Sequence, residues 1–439
     1  MRWHIIVRIG SHDTYSPGLS SNEPSLYVSI DAPGDSFAIK NNLLAEVSGR
    51  VLLNPTSKVI DLLNLALSVY TADLKISRDL SVDRWTRELV IHLPVVNLES
   101  WRASHSLIKE MLDFLTGDHW EVQFRQREAY EGWRIANAAS PKVSTVSLFS
   151  GGLDSLVGAI DLLEEGRNVA LISHYGAGIT KSAQQSVLSG LEAEYTDRIT
   201  PYSFYVQPPK KQTGKGEPSM RSRSILFLSI GTFVASLFSE DVPLVVAENG
   251  LISLNVPLTD ARLGSLSTRT THPHFISLYQ WLLASLELGN SVELPYQFRT
   301  KGEMFKQAKN FELLSNLVET TMSCSHPESG RYLGNSPGNH CGYCVPCIIR
   351  RASLASVGLD KGNYNIDILN DELPYDRNRG RDFRAFQMAV ERYRTSSSQV
   401  SPFDVLKAGP LPPEDIKDYM EMYSRGMDEV LRFLETTLA

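Results

Sequence analysis

Residues 143–163 constrain this chain more than any other stretch. The left part is β-branched and apolar, the pattern of a buried parallel strand, and the right part carries apolar residues at helical spacing. Between them stand Ser150, Gly151, Gly152, Leu153, Asp154 and Ser155. Glycines let a backbone approach a phosphate closely, and the unpaired N–H groups of a helix's first turn point at such an anion. The two hydroxyls add donors, and the Asp154 carboxylate is a hard oxygen ligand suited to magnesium. An ordinary turn from strand to helix seldom needs this combination. The stretch is not a Walker loop. The one loop Gly-Lys, Gly214-Lys215, is followed by Gly216 and lacks a glycine five residues earlier.

Beyond residue 163 the pattern repeats. A second buried strand ends in His174-Tyr175-Gly176, and a helix over 182–195 leads to a strand over 203–207. An apolar run at 225–238 reads as a buried helix, and 243–247 as a strand ending in Glu248-Asn249. Strands alternating with helices predict an α/β fold with a doubly wound parallel sheet. Ligands in such sheets sit beyond the carboxyl ends of the strands. That rule puts residues 150–155 and the pair His174 and Tyr175 on one rim. A polar loop follows, with Asn255, Asp260, Arg262, Ser267, Thr268, Arg269, Thr270, Thr271 and His272. Loops past strand ends collect binding residues, so Glu248, Asn249, Arg269, Thr270, Thr271 and His272 are candidate substrate contacts. The basic loop bearing Lys210, Lys211 and Lys215 reads equally as a phosphate lid or a solvated charge run. Arg223, opening the apolar run, is expected near the rim.

With 439 residues the chain exceeds one typical core. Residues 1–140 read as an N-terminal α+β domain, with strands near 3–9, 26–30, 87–93 and 120–124 and helices over 58–74 and 98–115. Asp73, Trp101 and His105 have no partner motif there and read as structural or surface residues. The core is expected over 141–320, a cysteine segment over 321–360 and a helical extension over 361–439, with helices at 381–394 and 414–434. A net charge of −7 argues against a surface that coats nucleic acid and leaves room only for a local basic groove. The run at 225–238 is too short to cross a bilayer, and the first residues lack a signal-peptide core, so no membrane association and a cytoplasmic location are expected.

All four cysteines, Cys324, Cys341, Cys344 and Cys347, lie within 24 residues in the spacing C-x16-C-x2-C-x2-C. Thiolates two residues apart can share one tetrahedral ion, and Gly342 lets the backbone turn around it. Zinc suits four sulfurs best, with iron the weaker alternative; disulfides are disfavoured without a secretory context. A site closed by four cysteines is structural.

The S-G-G-x-D-S stretch, matched in full by residues 150–155, resembles the pyrophosphate loop of the ATP pyrophosphatase superfamily, which cleaves ATP between the α- and β-phosphates. Together with His340-Cys341-Gly342-Tyr343-Cys344-Val345-Pro346-Cys347 and the following Arg350-Arg351, it resembles the QueC family of 7-cyano-7-deazaguanine synthases. Arg223, followed by Ser224 where that family has Asn, and the Lys301-x-Glu303 pair extend the likeness, which covers about residues 143–360. The family's Tyr-Gly-Gln-Arg-His is reduced here to Tyr175-Gly176, and Arg269-Thr270-Thr271-His272-Pro273 stands where it has Pro-Asp-Cys-Arg. With its long flanks, the chain is most similar to the QueC-like proteins of the Qat anti-phage defence system.

The resemblance implies an adenine-nucleotide α-hydrolase fold with structural zinc, and magnesium with ATP. It implies ATP contacts from Ser150, Gly151, Gly152, Leu153, Asp154, Ser155, His174 and Tyr175, and catalysis by Asp154, Arg223 and Lys301. The expected substrate is a 7-deazaguanine carboxylate, activated as an adenylate and passed to an amine, that of a partner protein from a defence operon or ammonia. A tRNA-modifying enzyme ranks lower, because every cysteine is committed to metal. A non-catalytic nucleotide-binding scaffold sits poorly with a complete loop.

Overall fold

The computed structural model describes residues 1–129, 142–176, 178–210, 216–217, 219, 221–259, 269–334, 338–362, 364–371, 380–397 and 399–435. Lys211, Lys215, Asp260, Arg262, Ser267 and Thr268 lie outside them.

Two parallel sheets dominate. The first contains β1 (Arg2–Ile9), β2 (Ser25–Ile30), β4 (Glu88–Val95) and β5 (His119–Gln126) in the order β2-β1-β4-β5. The second contains β6 (Thr145–Leu148), β7 (Val169–His174), β8 (Ile199–Phe204), β10 (Leu244–Val245) and β11 (Val292–Glu293) in the order β11-β10-β6-β7-β8. Every neighbouring pair in both sheets is parallel. A short antiparallel pair, β3 (Lys40–Asn41) with β9 (Val206–Gln207), stitches the two regions together.

The second sheet is covered on both faces, and the alternation of its side chains shows how. Val146, Ala170, Ile172, Tyr202 and Leu244 share one apolar cluster with the helices Arg223–Ser236 and Pro273–Ser285. Val169, Leu171 and Val245, one residue out of phase, share another with the helix Leu153–Glu164. Successive strand side chains point to opposite faces, so a strand buried on both reads as continuously apolar. The chain runs outward from β6 through β7 to β8, then returns to place β10 on the other side of β6. The gap between β6 and β10 is therefore the point where the strand order reverses. At such a point the loops diverge and leave a crevice beyond the strand ends.

The helix Ser57–Lys75, whose first turn is closed by Thr56 Oγ1 accepting from Val59 N, packs on the first sheet and on Arg223–Ser236. The helix Arg223–Ser236 is apolar on all sides because both of its sides are buried. One apolar cluster consequently runs from Ile5 and Val28 through Leu62 and Leu65 to Phe233 and Val146. A third cluster joins the cysteine segment to the helices Val345–Ala355, Arg381–Thr395 and Ile416–Glu435.

Three expectations change. The N-terminal region, expected as α+β, has four strands that all run parallel, because a non-helical connection over 10–24 and helical crossovers over 43–75 and 98–116 each return the chain to the same end of its sheet. Residues 304–317 read in the sequence as one helix but form two, Lys301–Lys306 and Phe311–Leu317, since Asn310 Oδ1 accepts from Leu313 N at 3.0 Å and caps a fresh start. The helix expected over 98–115 breaks at Ser104 into Leu98–Ala103 and His105–Thr116. Asp73 and Trp101 are fully buried, as structural residues should be. Among the described residues no helix is long and apolar enough to cross a membrane.

Candidate functional site

The loop after β6 makes its turn with Gly151 at φ +76°, a left-handed value that disfavours a side chain. A Cβ there would also lie 2.9 Å from the Gln184 side chain. Gly152 is the extended N-cap of the helix Leu153–Glu164, and its N–H donates to Ser150 Oγ at 3.2 Å. Ser150 and Ser155 face each other with hydroxyls 3.3 Å apart. Leu153 N donates to Ser323 Oγ at 3.0 Å, and Met322 N donates to Gly151 O at 2.9 Å. The segment just before Cys324 thus cradles the loop.

A cavity of about 320 Å³ opens at the predicted crevice between β6 and β10. Ser150, Asp154 and Ser155 line one side, Glu248 and Thr271 another, with His174, Ser224 and Phe227 between. Asp154, in the first turn of its helix, is only 8% exposed. Its Oδ2 accepts from Asn249 Nδ2 at 2.7 Å, and its Oδ1 meets Lys301 Nζ at 2.8 Å. Asn249 is fixed in turn because its Oδ1 caps the helix Gly250–Leu254. Lys301 opens its own helix under a capping box, in which Thr300 Oγ1 accepts from Glu303 N and Glu303 Oε2 from Thr300 N. Two chain segments far apart in sequence thereby converge on one carboxylate.

Glu248, past the end of β10, accepts from Thr271 Oγ1 at 3.0 Å. Burial, reinforced by the charge of Asp154, pushes its carboxyl up to about 7. It therefore exchanges a proton near neutrality beside a carboxylate paired with an ammonium. His174 is 6% exposed and has no partner on either ring nitrogen among the described residues. Burial, with Arg223 nearby, pushes it down to about 3, so it enters the cavity as a neutral imidazole with one donor and one acceptor.

Other candidates go elsewhere. Arg223 is not among the cavity-lining residues; its guanidinium lies 4.6 Å from the centre of the Phe227 ring, and burial lowers its pKa. Tyr175 lines a neighbouring open crevice with Lys181, whose ammonium lies 4.5 Å from the ring centre, and stacks against Tyr205. Arg269 donates to Phe114 O at 2.6 Å and covers that ring, turned to the N-terminal region. His272 caps the helix Pro273–Ser285, its Nδ1 accepting from His274 N, and also packs on Phe114. Thr270 and Thr271 alone of that motif line the cavity. Ser323 and Gln184 were not singled out in sequence, for a lone Ser or Gln in a loop or helix carries no signal.

The four cysteine sulfurs lie within 4.8 Å of one another, Cys324 to Cys344 at 4.0 Å and Cys341 to Cys347 at 3.8 Å. No disulfide joins them. A tetrahedral zinc–thiolate site, with zinc–sulfur bonds near 2.3 Å, requires sulfurs ~3.8 Å apart, so this cluster can hold one metal ion as a closed structural centre. Backbone N–H groups of His326 and Cys341 donate to Cys324 Sγ at 3.2 and 3.3 Å, which stabilises a thiolate. Gly342 has φ +88°, and a Cβ on it would sit 1.9 Å from Ile366 O, so glycine is obligatory. The paired arginines are struts: Arg350 holds Thr321 Oγ1 and Val318 O, while Arg351 pairs with Asp360 and Asp367. Through Thr321, Met322 and Ser323 the cluster fixes the floor of the glycine loop. Compared with known proteins, the chain matches no family model, and no curated protein matches it either.

Proposed function

We propose that this chain is a QueC-like enzyme with an adenine-nucleotide α-hydrolase fold that adenylates the carboxylate of a 7-deazaguanine and transfers the acyl group to an amine, serving bacterial anti-phage defence. The observation that carries the reading is the placement of the Ser-Gly-Gly-Leu-Asp-Ser turn. It opens a helix at the strand-order reversal, with Asp154 held between Asn249 and Lys301 on the cavity wall. A carboxylate is a poor acyl donor because oxide would have to leave. In the first step a substrate carboxylate oxygen attacks the α-phosphorus and pyrophosphate departs. In the second an amine attacks the acyl carbon, AMP departs with the bonding electrons, and the amine's proton passes to a base. The N-terminal backbone of Leu153–Glu164 and the hydroxyls of Ser150 and Ser155 suit the pyrophosphate; Lys301 supplies positive charge where negative charge grows. Asp154 Oδ2 accepts from Asn249 Nδ2 at 2.7 Å and from Asn249 N at 3.5 Å, and Oδ1 meets Lys301, which leaves one lone-pair site, on Oδ1, for a magnesium ion arriving with ATP. Glu248 lines the same cavity, and its near-neutral proton affinity suits it to take the amine's proton.

The acceptor is either ammonia, leading to free nitrile, or the N-terminal amine of a partner protein. A protein N-terminus, with a reference pKa of about 7.7–8.0 against about 10.4 for lysine, is the better nucleophile at neutral pH. The test mixes protein, ATP, 7-carboxy-7-deazaguanine and candidate partner chains, assays pyrophosphate and AMP, and weighs each chain intact. AMP formation dependent on the deazaguanine supports the reading, and none at all overturns it. A mass gain on a partner favours conjugation; free nitrile alone favours the synthase.

A further inference from the structure

The helix Ile416–Glu435 has an apolar stripe suited to packing, and its packing partners are not arbitrary. It lies behind both groups that hold Asp154. On the Lys301 side, Glu429 accepts from Thr300 Oγ1 in a short hydrogen bond and from Gly302 N at 3.3 Å, so its carboxylate brackets Lys301 in sequence. A Cβ on Gly302 would sit 2.5 Å from Glu429 Oε1, so the missing side chain is what lets the carboxylate dock. One turn earlier, Arg425 pairs with Glu303 at 2.6 Å and donates to Phe298 O at 2.8 Å. On the Asn249 side, a Cβ on Gly250 would lie 2.9 Å from Met422, and one on Gly426 would lie 3.0 Å from Leu251. The same helix therefore touches the residues following Asn249 and those flanking Lys301.

Glu429 is 7% exposed, and so is expensive to bury. A helix needing only to cover apolar surface gains nothing from placing a carboxylate there. The geometry points to a positioning role: Glu429 sets where the helix carrying Lys301 begins, and through it where the Lys301 ammonium meets Asp154. The inference rests on the reading that Asp154 and Lys301 form the working centre, but its first test needs no substrate.

Lys301 is 4% exposed and paired in the ligand-free protein, so an acylating reagent should reach it slowly. The experiment labels full-length wild type, Glu429→Ala, Glu429→Asp, Glu429→Gln and Met427→Ala with an N-hydroxysuccinimide acetate. Peptide mass spectrometry reads Lys301 against the exposed Lys417. Met427→Ala controls for lost packing in the same helix. The inference expects Lys301 to label at least about tenfold faster in Glu429→Ala, the scale of one hydrogen bond to a charged group. Glu429→Gln should stay within about twofold of wild type, because its amide can still serve Thr300 and Gly302 N. Glu429→Asp, one methylene shorter, should fall between, and it decides the matter if Glu429→Ala does not fold. Wild-type labelling in a folded Glu429→Ala, or equal acceleration in Met427→Ala, would overturn the inference. A second arm measures pyrophosphate release: kcat should fall with KM for ATP nearly unchanged, and Glu429→Gln should restore it. A wild type that never cleaves ATP overturns the proposed function and leaves the labelling result standing.

Discussion

Removing the Asp154 carboxylate tests the site and the fold together. A carboxylate that served only a bound magnesium could be deleted without harm to the empty protein. Here Asp154→Ala would strand the Lys301 ammonium, 4% exposed, and leave Asn249 Nδ2 without its acceptor. Breaking a buried ion pair by removing one member costs about 3–5 kcal/mol, because the survivor keeps its desolvation penalty. Removing both charges costs far less, since apolar replacements of a buried pair are often neutral. The expected order of stability is therefore wild type, then Asp154→Ala/Lys301→Met, lower by about 1–2 kcal/mol for the orphaned Asn249 amide, then Asp154→Ala alone, lower by about 3–5 kcal/mol. Urea unfolding of the ligand-free protein, followed by tryptophan fluorescence, reads this as midpoint shifts at a common slope. Pyrophosphate release is lost in all three variants, Lys301→Met included. The reasoning fails if Asp154→Ala matches wild type in urea, or if the double variant is no more stable than Asp154→Ala. Undiminished AMP formation by Asp154→Ala would refute the proposed chemistry on its own.

Elemental analysis should find one zinc per chain, and Cys344→Ser should lose both metal and stability, because binding is coupled to folding; metal-free protein of full stability contradicts this. Gly342→Ala should prevent the same site from forming, whereas Gly358→Ala, at φ +72° with open space around its Cβ, should cost only about 1 kcal/mol; similar losses in both would show that the Ile366 carbonyl can move aside. Glu248 has a folded pKa raised from about 4.5 to about 7. Its contribution is fully present below pH 4.5 and is lost as pH rises through 7, so Glu248→Gln should flatten the decline of stability across that window, and a parallel pair of curves counts against it.

Legibility in the sequence followed periodicity and chemistry closely. The buried strands ending at Leu148 and His174 and the helices from residues 57, 223 and 416 announce themselves through runs of spaced apolar residues. The cysteine spacing announced a cluster because thiolates two apart have few other uses. Strand direction in the N-terminal sheet went unread although β1 and β4 are buried on consecutive residues, because the pairing of each strand is set by long connections that leave no local period. The two-residue strands β3 and β11 are too short for any period to show, whereas β9 and β10 fall inside the runs 203–207 and 243–247 that read as strands. The failures at the site have a common cause. Arg269 and His272 look functional in a polar loop, yet both turn to Phe114, a contact 155 residues away for Arg269. Long-range contacts of that kind leave no local mark.

The N-terminal region bears on what a partner could touch. Asp73 is fully buried and bound by Arg87 at 2.6 Å, by Ser222 through its N–H and its hydroxyl, and by the Ser219 hydroxyl. Arg87 also meets Asp118, which takes two bonds from Arg78 as well. Arg221 donates to Thr116 O at 2.6 Å. This network anchors Ser219, Arg221 and Ser222 directly ahead of the helix that carries Ser224 and Phe227 to the cavity. Buried charges satisfied from both regions leave unpaired groups behind if either is removed. The chain lacking residues 1–129 should therefore be insoluble, because it exposes the apolar side of Arg223–Ser236 that packs on Ser57–Lys75. Recovery of a soluble, zinc-bearing fragment 142–439 would make the first sheet an appended module. If the fragment fails, the first sheet is half of the scaffold behind the cavity, and a partner protein has to be received on surfaces other than its inner face.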